Sequence, residues 1–260
     1  MRLDTLLAER GLFDSRSRAA ASVLAGEVRI GAERRTAAKP GQIVAADVEI
    51  EVAPEPRFVS RGGVKLANAL DALALDPRGR LALDAGASTG GFTDCLLQRG
   101  ARHVVAVDVA YGELAWELRN DERVTVLERR NARSLEPADL PYRPDLVVAD
   151  LSFISLTKVL PALLRSAAPV HDVLALVKPQ FEAGRDRVGK GGVVRDAATR
   201  RDALVAVARS ARSLGAPVLG FAPSGLPGPK GNRETFVRLA EPGRDGAVED
   251  LEAAAREVEP

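Results

Sequence analysis

The sequence is poor in residues that build disulfides and metal centres. It contains one cysteine, Cys95, and two histidines, His103 and His171. A single cysteine excludes an internal disulfide framework and a cysteine-built metal cluster, and it fits a reducing compartment. Each histidine lies just before an apolar run, so we expect both at strand ends. The sequence therefore predicts no metal site and a cytoplasmic protein.

Long apolar segments are also missing. No stretch approaches the roughly 18 uncharged apolar residues that a membrane helix needs, and residues 1–4 lack the apolar core of a signal peptide. Hydrophobic residues still make up 46% of the 260 residues, which is enough for a substantial core. We expect a soluble chain with no membrane partner.

Lysine is rare, since only six of the 37 basic residues are lysines. The last twenty residues contain seven carboxylates and two arginines, which leaves residues 1–240 mildly basic with 35 basic and 29 acidic groups. Such a surface is compatible with a polyanionic partner. In an arginine-rich chain, a retained lysine can mark a position that arginine cannot fill. Five of the six lie in stretches with features of functional loops: Lys39, Lys65, Lys178, Lys190 and Lys230.

The first 53 residues predict a small α+β domain. Leucine spacing indicates a helix over 2–10, and Ser15 is a suitable N-cap for a second helix that ends near Gly26. Strands are predicted at 28–30 and, after a turn at 39–41, within 43–52. Residues 54–61, which include two prolines, are predicted to be a linker.

From residue 62 onward, helices alternate with apolar strands. Seven strands are predicted, at 81–84, 104–108, 124–127, 146–150, 173–177, 216–221 and 234–239. The pattern predicts an α/β, Rossmann-like domain over 62–242 with a mostly parallel sheet. The last connection is too short for a crossover helix, so the last strand should be antiparallel. Residues 243–260 are predicted to be an acidic helix or tail.

A glycine-rich loop follows the first strand of this domain, where a doubly wound sheet binds nucleotides. A dinucleotide loop needs a central glycine, and Ser88 occupies that position. S-adenosylmethionine, which has no phosphate, fits better: Asp84 could receive its ammonium and Asp108 its ribose hydroxyls. The predicted cofactor-binding residues are Asp84, Gly86, Ser88, Thr89, Gly90, Gly91, Phe92, Thr93, Asp108, Asn131 and Asp150.

Four further residues form a candidate catalytic set. Asp150 and Lys178 end two predicted parallel strands, so they should meet at one edge of the sheet. Lys65 starts the first helix of the domain, and Glu234 starts the last strand. An amine held by carboxylates can orient a poor nucleophile such as a hydroxyl and accept its proton.

This Lys65, Asp150, Lys178 and Glu234 order resembles the FtsJ-type ribose 2′-O-methyltransferases. Together with the N-terminal domain, the chain is similar to the TlyA (haemolysin A) family over residues 1–240. The resemblance implies that the four residues are a catalytic tetrad, with Lys178 closest to the reacting hydroxyl. It further implies S-adenosylmethionine as cofactor, cytidine 2′-O-methylation in 16S and 23S ribosomal RNA, and a link to capreomycin-type antibiotic susceptibility.

The N-terminal domain resembles the S4 RNA-binding domain in the stretches 2–4, 15–19 and 26–30. The resemblance implies contacts with structured RNA, mostly through phosphates. The implied contact residues are Arg2, Arg16, Arg18, Arg29 and Lys39. The sequence departs from the S4 pattern at Gly31-Ala32, where such domains often have Asn-Gly, so the turn can differ.

Three other functions agree less well with the sequence. An NAD-dependent oxidoreductase conflicts with Ser88 and with the lack of a partner histidine. A pore-forming haemolysin conflicts with the lack of membrane-length or strongly amphipathic segments. A non-catalytic RNA-binding or ribosome-assembly factor conflicts with the intact set of four residues, and binding measurements are needed to exclude it.

Overall fold

A computed structural model describes residues 1–53 and 56–259 of the chain. It divides into two compact units, Met1–Pro56 and Arg57–Pro260. Most of the predicted linker is described, but Pro54 and Glu55 lie outside the described residues, as does Pro260.

The N-terminal unit packs two helices beside a three-stranded antiparallel sheet. Its elements are α1 (Leu3–Glu9), α2 (Arg16–Leu24), β1 (Val28–Ile30), β2 (Arg35–Thr36) and β3 (Ile50–Val52), with sheet order β2-β1-β3. Ser15 caps α2 by accepting a hydrogen bond from the Arg18 backbone N–H at 3.2 Å, as predicted. Leu3, Leu7 and Val23 form the core with their neighbours.

Of the strands predicted within 43–52, only β3 at Ile50–Val52 is formed, and the prediction is wrong for residues 43–48. Ile43 forms a single bridge with Arg2, and its side chain is 77% exposed. The backbone of this segment is bound to the start of the chain instead, since Leu3 N–H donates to the Gln42 carbonyl and Val44 N–H donates to that of Met1. The apolar side chains of this segment suggested a strand, but no strand forms because the segment has no pairing partner along its length.

The second unit is built around a seven-stranded sheet. Its strands are β4 (Leu81–Ala85), β5 (His103–Val107), β6 (Val124–Leu127), β7 (Leu146–Ala149), β8 (Asp172–Val177), β9 (Val218–Pro223) and β10 (Thr235–Ala240). Their order is β6-β5-β4-β7-β8-β10-β9. β10 runs antiparallel to both of its neighbours, and the other paired strands are parallel. The predicted sheet is confirmed.

Helices cover both faces of the sheet. They are α3 (Arg61–Ala72), α4 (Gly91–Gln98), α5 (Trp116–Arg119), α6 (Leu160–Ser166), α7 (Pro179–Glu182), α8 (Ala197–Ser213) and α9 (Leu251–Val258). Successive strand residues point to opposite faces, so Leu83 and Val147 join one buried cluster while Ala82 and Val148 join the other. The continuous apolar strands follow from burial on both faces.

The C-terminal segment belongs to this unit. Leu251 and Ala255 of α9 are buried in one of the two core clusters. Glu259 is only 4% exposed and pairs with the buried Arg200 at 2.8 Å. The segment predicted as an acidic helix or tail therefore contains a helix that packs onto the core.

One edge of the sheet collects the candidate catalytic positions. Asp150 directly follows β7 and Lys178 directly follows β8. Because β10 is antiparallel to β8, its first residue, Thr235, lies opposite Val177. Glu234, which precedes Thr235, is thereby brought to the same edge as Lys178.

Candidate active site

Lys178 is held between two polar side chains at the end of β8. Its Nζ lies 2.5 Å from Asp150 Oδ1 and donates a hydrogen bond to Ser152 Oγ at 2.9 Å. Pro179 starts α7 directly after Lys178, and this favoured first helical position ends the strand sharply. The lysine is therefore oriented by two partners on the loop that follows β7.

Lys65 and Glu234 form a second pair. Lys65 belongs to α3, and both residues are largely buried, at 6% and 3% exposure. Their side chains make a short ion pair, so neither charge is left alone inside the protein. The structure thus brings the four predicted catalytic residues together as two lysine–carboxylate pairs.

All four residues line one cavity of about 510 Å³, called the catalytic cavity below. Its wall also contains the glycine-rich loop between β4 and α4, represented by Gly86, Ser88 and Thr89. An adjoining cavity of about 500 Å³ shares Gly86, Ser88, Asp150 and Ser152 with it. The two cavities therefore lie side by side along this edge of the sheet.

The glycines of this loop are required by close approach. A Cβ on Gly86 would lie 2.5 Å from the Asp150 carbonyl oxygen, and one on Gly91 would lie 2.1 Å from Ser60 Oγ. Gly86 and Gly90 also have φ values of +87° and +97°, which favour glycine. One side of the loop is thus packed against Asp150 and Ser60, and its other side faces the two cavities.

Asp108 organises the adjoining cavity. Its two carboxylate oxygens each accept one backbone hydrogen bond at 2.8 Å, from Ser88 and from Ala110. A carboxylate has about four acceptor positions, so further hydroxyl donors can still be accepted. Asn131 lines the same cavity and accepts a hydrogen bond from the Arg133 backbone N–H at 3.0 Å.

Asp84 and Thr93 are placed differently from the expectation. Both are fully buried, and neither lines either cavity. Gly90 does not line the cavities either. Asp84 Oδ2 accepts hydrogen bonds from the Thr93 backbone N–H at 2.9 Å and its hydroxyl at 2.7 Å. The Asp84 carboxyl therefore ties β4 to α4 beneath the loop, and the expected direct contact with an ammonium is not formed in this geometry.

The surroundings of Asp84 are nevertheless negative. Burial, with the nearby Asp150 and Asp108, raises the pKa of Asp84 to about 7. Its Oδ1 is buried without a hydrogen-bond partner among the described residues. Asp108 and Asp150, the two carboxylates that line the cavities beside this loop, suit a cationic ligand, and S-adenosylmethionine carries a sulfonium and an ammonium. The residues present therefore fit this cofactor.

All five predicted RNA-contact residues of the N-terminal unit are exposed. Arg2 and Arg16 both pair with the buried Asp4, at 2.8 and 3.1 Å. These contacts lower the pKa of Asp4 below its usual range. Arg18, Arg29 and Lys39 are exposed, and Lys39 lies at the predicted turn, where its carbonyl accepts from Gln42 N–H.

Several lining residues were not predicted. Ser152 contacts Lys178, and its position two residues after Asp150 was the available signal. Ser60, Arg61, Pro227 and Pro229 also line the catalytic cavity, and Arg61 Nη2 donates to the Pro227 carbonyl at 2.9 Å. Proline carries no chemical signature of a site, so only the fold reveals these two.

The two histidines lie at strand ends, as predicted. His103 begins β5 and lies 2.9 Å from the Tyr142 hydroxyl, and His171 precedes β8. Across residues 1–53 and 56–259, no group of three metal-ligating side chains is found. Within the same ranges, no helix is long and apolar enough to cross a membrane.

Two features define a methyltransferase fold of the S-adenosylmethionine-dependent class: the seven-stranded sheet with an antiparallel β10, and the glycine-rich loop 86–91 at its carboxyl edge, called the glycine cradle below. The family model for FtsJ-like methyltransferases matches residues 58–241, and the S4 domain model matches residues 1–49. The chain belongs to the FtsJ-like methyltransferases and, within them, to the TlyA family.

Two curated relatives are similar over most of their length. The 16S/23S rRNA (cytidine-2′-O)-methyltransferase TlyA of Mycobacterium tuberculosis is 54% identical over 240 residues, which cover 92% of this chain and 89% of the relative. Hemolysin A of Brachyspira hyodysenteriae is 38% identical over 240 residues, which cover 92% of this chain and 99% of the relative.

A solved structure is also similar to this chain. A hemolysin-named protein from Streptococcus thermophilus superposes with a TM-score of 0.75 at 38% identity, covering 99% of this chain and 94% of that one. The resemblance therefore includes both units of the chain.

Proposed function

We propose that the protein transfers a methyl group from S-adenosylmethionine to a ribose 2′-hydroxyl of ribosomal RNA. The observation that carries this proposal is Lys178, held by Asp150 and Ser152 on the wall of the cavity beside the glycine cradle. By analogy with the Mycobacterium tuberculosis relative, the targets are cytidines of 16S and 23S ribosomal RNA. The proposal includes an effect on susceptibility to capreomycin-type antibiotics.

The residues that would hold the cofactor are divided between the two cavities. Asp108 and Asn131 suit the adenosine, since both line the adjoining cavity with free acceptor capacity. The cradle residues Gly86, Ser88 and Thr89 suit the methionine part. Gly91 and Phe92 line the same cavity and can also contact the cofactor, whereas Gly90, Thr93 and Asp84 support the cradle from below. When bound, the cofactor supplies an electrophilic methyl group on a positively charged sulfur.

Lys178 is the residue proposed to act on the hydroxyl. An amine within hydrogen-bond reach of a ribose oxygen orients that oxygen toward the methyl donor and takes up its proton. Asp150 and Ser152 hold Lys178 Nζ in one place, and this aligns the reacting oxygen instead of leaving it mobile. In this proposed step Lys178 Nζ acts as a neutral amine, takes the proton that leaves the 2′-oxygen, and becomes the ammonium that pairs with Asp150.

The Lys65–Glu234 pair is proposed to complete the site. It lines the same cavity and is nearly removed from water, so its charges act on the reacting oxygen with little screening. With Asp150 and Lys178 the set contains two lysines and two carboxylates, so the ammonium that forms when Lys178 takes up the proton has a carboxylate beside it.

The N-terminal unit is proposed to bind the RNA. Arg18, Arg29 and Lys39 are exposed and suited to phosphate contacts, whereas Arg2 and Arg16 also maintain the fold through Asp4. The partner is ribosomal RNA, free or within a ribosomal subunit, met in the cytoplasm. A non-catalytic RNA-binding factor is the alternative function, favoured by the S4 match alone.

The test is labelled methyl transfer to ribosomal RNA, followed by alkaline hydrolysis. A 2′-O-methyl group blocks cleavage of the adjacent phosphodiester, so the label should appear in an alkali-resistant dinucleotide. Label on a mononucleotide base would overturn ribose methylation. RNA binding with no transfer to free RNA or to either ribosomal subunit would favour the non-catalytic factor.

A further inference from the structure

A group of exposed cations lies beside the catalytic cavity. The loop 224–233 contributes Pro227 and Pro229 to the cavity wall, and it also contains Lys230 and Arg233. A second loop, 184–195, contains Lys190 in a tight turn closed by two hydrogen bonds, from Gly192 N–H to the Gly189 carbonyl and from Gly189 N–H to the Val193 carbonyl. We call Lys190, Lys230 and Arg233 the cationic rim.

The two loops are fixed to each other by Asn232. This side chain is 2% exposed; its Nδ2 donates to the Gly192 carbonyl at 2.8 Å, and its Oδ1 accepts from Val194 N–H at 2.9 Å. A Cβ placed on Gly192 would lie 4.0 Å from Lys230 Nζ, so the second loop reaches the lysine side chain directly. The rim therefore has a defined geometry relative to the cavity.

The rim charges are not used within the unit. Lys190, Lys230 and Arg233 are exposed, and none makes an ion pair or side-chain hydrogen bond with the described residues. Other arginines of the unit behave differently, since Arg119, Arg187 and Arg238 each pair with a carboxylate. Arg233 is exposed although its two neighbours in the chain, Asn232 and Glu234, are buried.

Acidic neighbours do not neutralise the rim. The two loops together contain six basic residues and one acidic residue, Asp186. Glu234 is buried and forms an ion pair with Lys65. Asp196 accepts a hydrogen bond from the Thr199 backbone N–H at the start of α8. A net positive surface at the mouth of a cavity concentrates anionic ligands there.

We propose that the cationic rim binds the phosphodiester backbone of the RNA next to the nucleotide that enters the catalytic cavity. The inference rests on the proposed function and adds a second RNA contact to that of the N-terminal unit. Lysine is a flexible point charge, so these contacts are independent of base sequence. Their effect is to retain the strand at the cavity while the target nucleotide is in place.

The test is the salt dependence of RNA binding by the full-length chain. For the Lys190→Ala/Lys230→Ala double variant, affinity for transcribed ribosomal RNA should fall roughly tenfold at 0.15 M salt. The slope of log affinity against log salt should become shallower by about 1.4 to 1.8, because two phosphate contacts are lost. Affinity for S-adenosylmethionine should not change, since neither lysine lines the two cavities.

The matched control removes two positive charges at the opposite edge of the sheet. Arg78 and Arg102 are exposed just before β4 and β5, at the amino ends of these parallel strands. The Arg78→Ala/Arg102→Ala variant should keep its RNA affinity within about twofold of the unaltered chain, and its salt slope should change by less than about 0.3. Equal losses of RNA affinity in the two double variants, or an unchanged salt slope in the rim variant, would overturn the proposal that the rim binds RNA.

Methyl transfer by the same proteins separates this inference from the proposed function. The rim variant should require more RNA for half-maximal rate and keep its rate at saturating RNA. If the unaltered chain transfers no methyl group but the rim variant loses RNA affinity, the proposed function fails and the rim stands. If the unaltered chain is active and the rim variant matches the control in affinity and slope, only the rim fails.

Discussion

Thr235 donates a hydrogen bond from its hydroxyl to Glu259 Oε1 at 3.0 Å and thereby joins the start of β10 to the last described residue of the chain. The other oxygen of Glu259 accepts from Arg200 Nε at 2.8 Å, and both charged side chains are buried. Arg200 also donates to the Arg195 carbonyl at 2.7 Å. The C-terminus thus secures the strand that follows Glu234 and the end of the loop that contains Lys190.

Replacing Glu259 should therefore destabilise the second unit. Glu259→Ala leaves the buried Arg200 guanidinium without its carboxylate, which costs about 3–5 kcal/mol of unfolding free energy. Urea unfolding of the full-length chain measures the loss. Glu257 is exposed two residues earlier, so Glu257→Ala is the control and should change stability by less than about 0.5 kcal/mol. Similar losses for both variants would contradict a specific role of Glu259.

The buried Asp84 carboxyl should give the protein a pH-dependent stability. Its pKa is raised to about 7 by burial, above the value of an unfolded chain. The folded state therefore keeps a proton that the unfolded state releases, and this contribution is complete below about pH 4 and lost as the pH rises through about 7.

The Asp84→Asn variant isolates this effect, because asparagine keeps an oxygen for Thr93 and does not ionise. Relative to that variant, the unaltered chain should lose on the order of 3 kcal/mol of unfolding free energy between pH 4 and pH 7, and no more above pH 8. Chemical denaturation at several pH values measures the difference. Parallel curves for the two proteins would show that Asp84 is ionised throughout.

The cradle glycines should be sensitive to a single added methyl group. In Gly86→Ala, the new Cβ would meet the Asp150 carbonyl at 2.5 Å, in addition to the strain of a positive φ. Gly112 also has a positive φ, of +78°, but an added Cβ meets nothing within 4 Å. Gly112→Ala is therefore a control for backbone strain alone, which costs about 1–3 kcal/mol.

We expect Gly86→Ala to lose at least tenfold in affinity for S-adenosylmethionine, about 1.4 kcal/mol, because the cradle must move away from Asp150. Gly112→Ala should bind the cofactor within about twofold of the unaltered chain, since 0.4 kcal/mol corresponds to a factor of two. Isothermal titration measures both. Equal affinities of all three proteins would show that the cofactor does not contact the cradle.

The exposed cations of the N-terminal unit should contribute to RNA affinity. Arg29→Ala/Lys39→Ala removes two exposed charges without touching the Asp4 pairs that support the fold. The affinity for ribosomal RNA should fall roughly tenfold at 0.15 M salt, and cofactor affinity should stay the same. Arg35, exposed and paired with Glu33, provides the control. RNA affinity equal to that of Arg35→Ala would remove these two residues from the interface.

The sequence predicted the second unit well because local pattern and fold agree there. Apolar runs that end in Asp150 and Lys178 specify parallel strands, and parallel strands bring their carboxyl ends together. The strand prediction failed at residues 43–48, since Ile43 and Val44 have strand composition but their backbone partners are Arg2 and Met1, ahead of α1. Backbone pairing between segments about forty residues apart in the sequence leaves no signal in the local pattern of side chains.

Side-chain orientation was the second limit. Asp84 falls at the end of a strand next to the cradle, and only the pleat decides that its carboxyl points under the loop to Thr93. The C-terminal segment was similarly underestimated, because its acidic composition resembles a solvated tail. The buried arginine that pairs with Glu259 lies 59 residues away in the sequence.

The most direct test of the account is the Lys178→Ala variant, assayed for methyl transfer to ribosomal RNA and for cofactor binding. Lys178 is the residue proposed to orient the 2′-hydroxyl, and it contacts Asp150 and Ser152 instead of the cradle. We predict that turnover falls by at least about a hundredfold, the lower range for a general base, while affinity for S-adenosylmethionine stays within a few-fold. Turnover near that of the unaltered chain, or a loss of cofactor affinity as large as the loss of rate, would contradict the assignment of Lys178 to the chemistry.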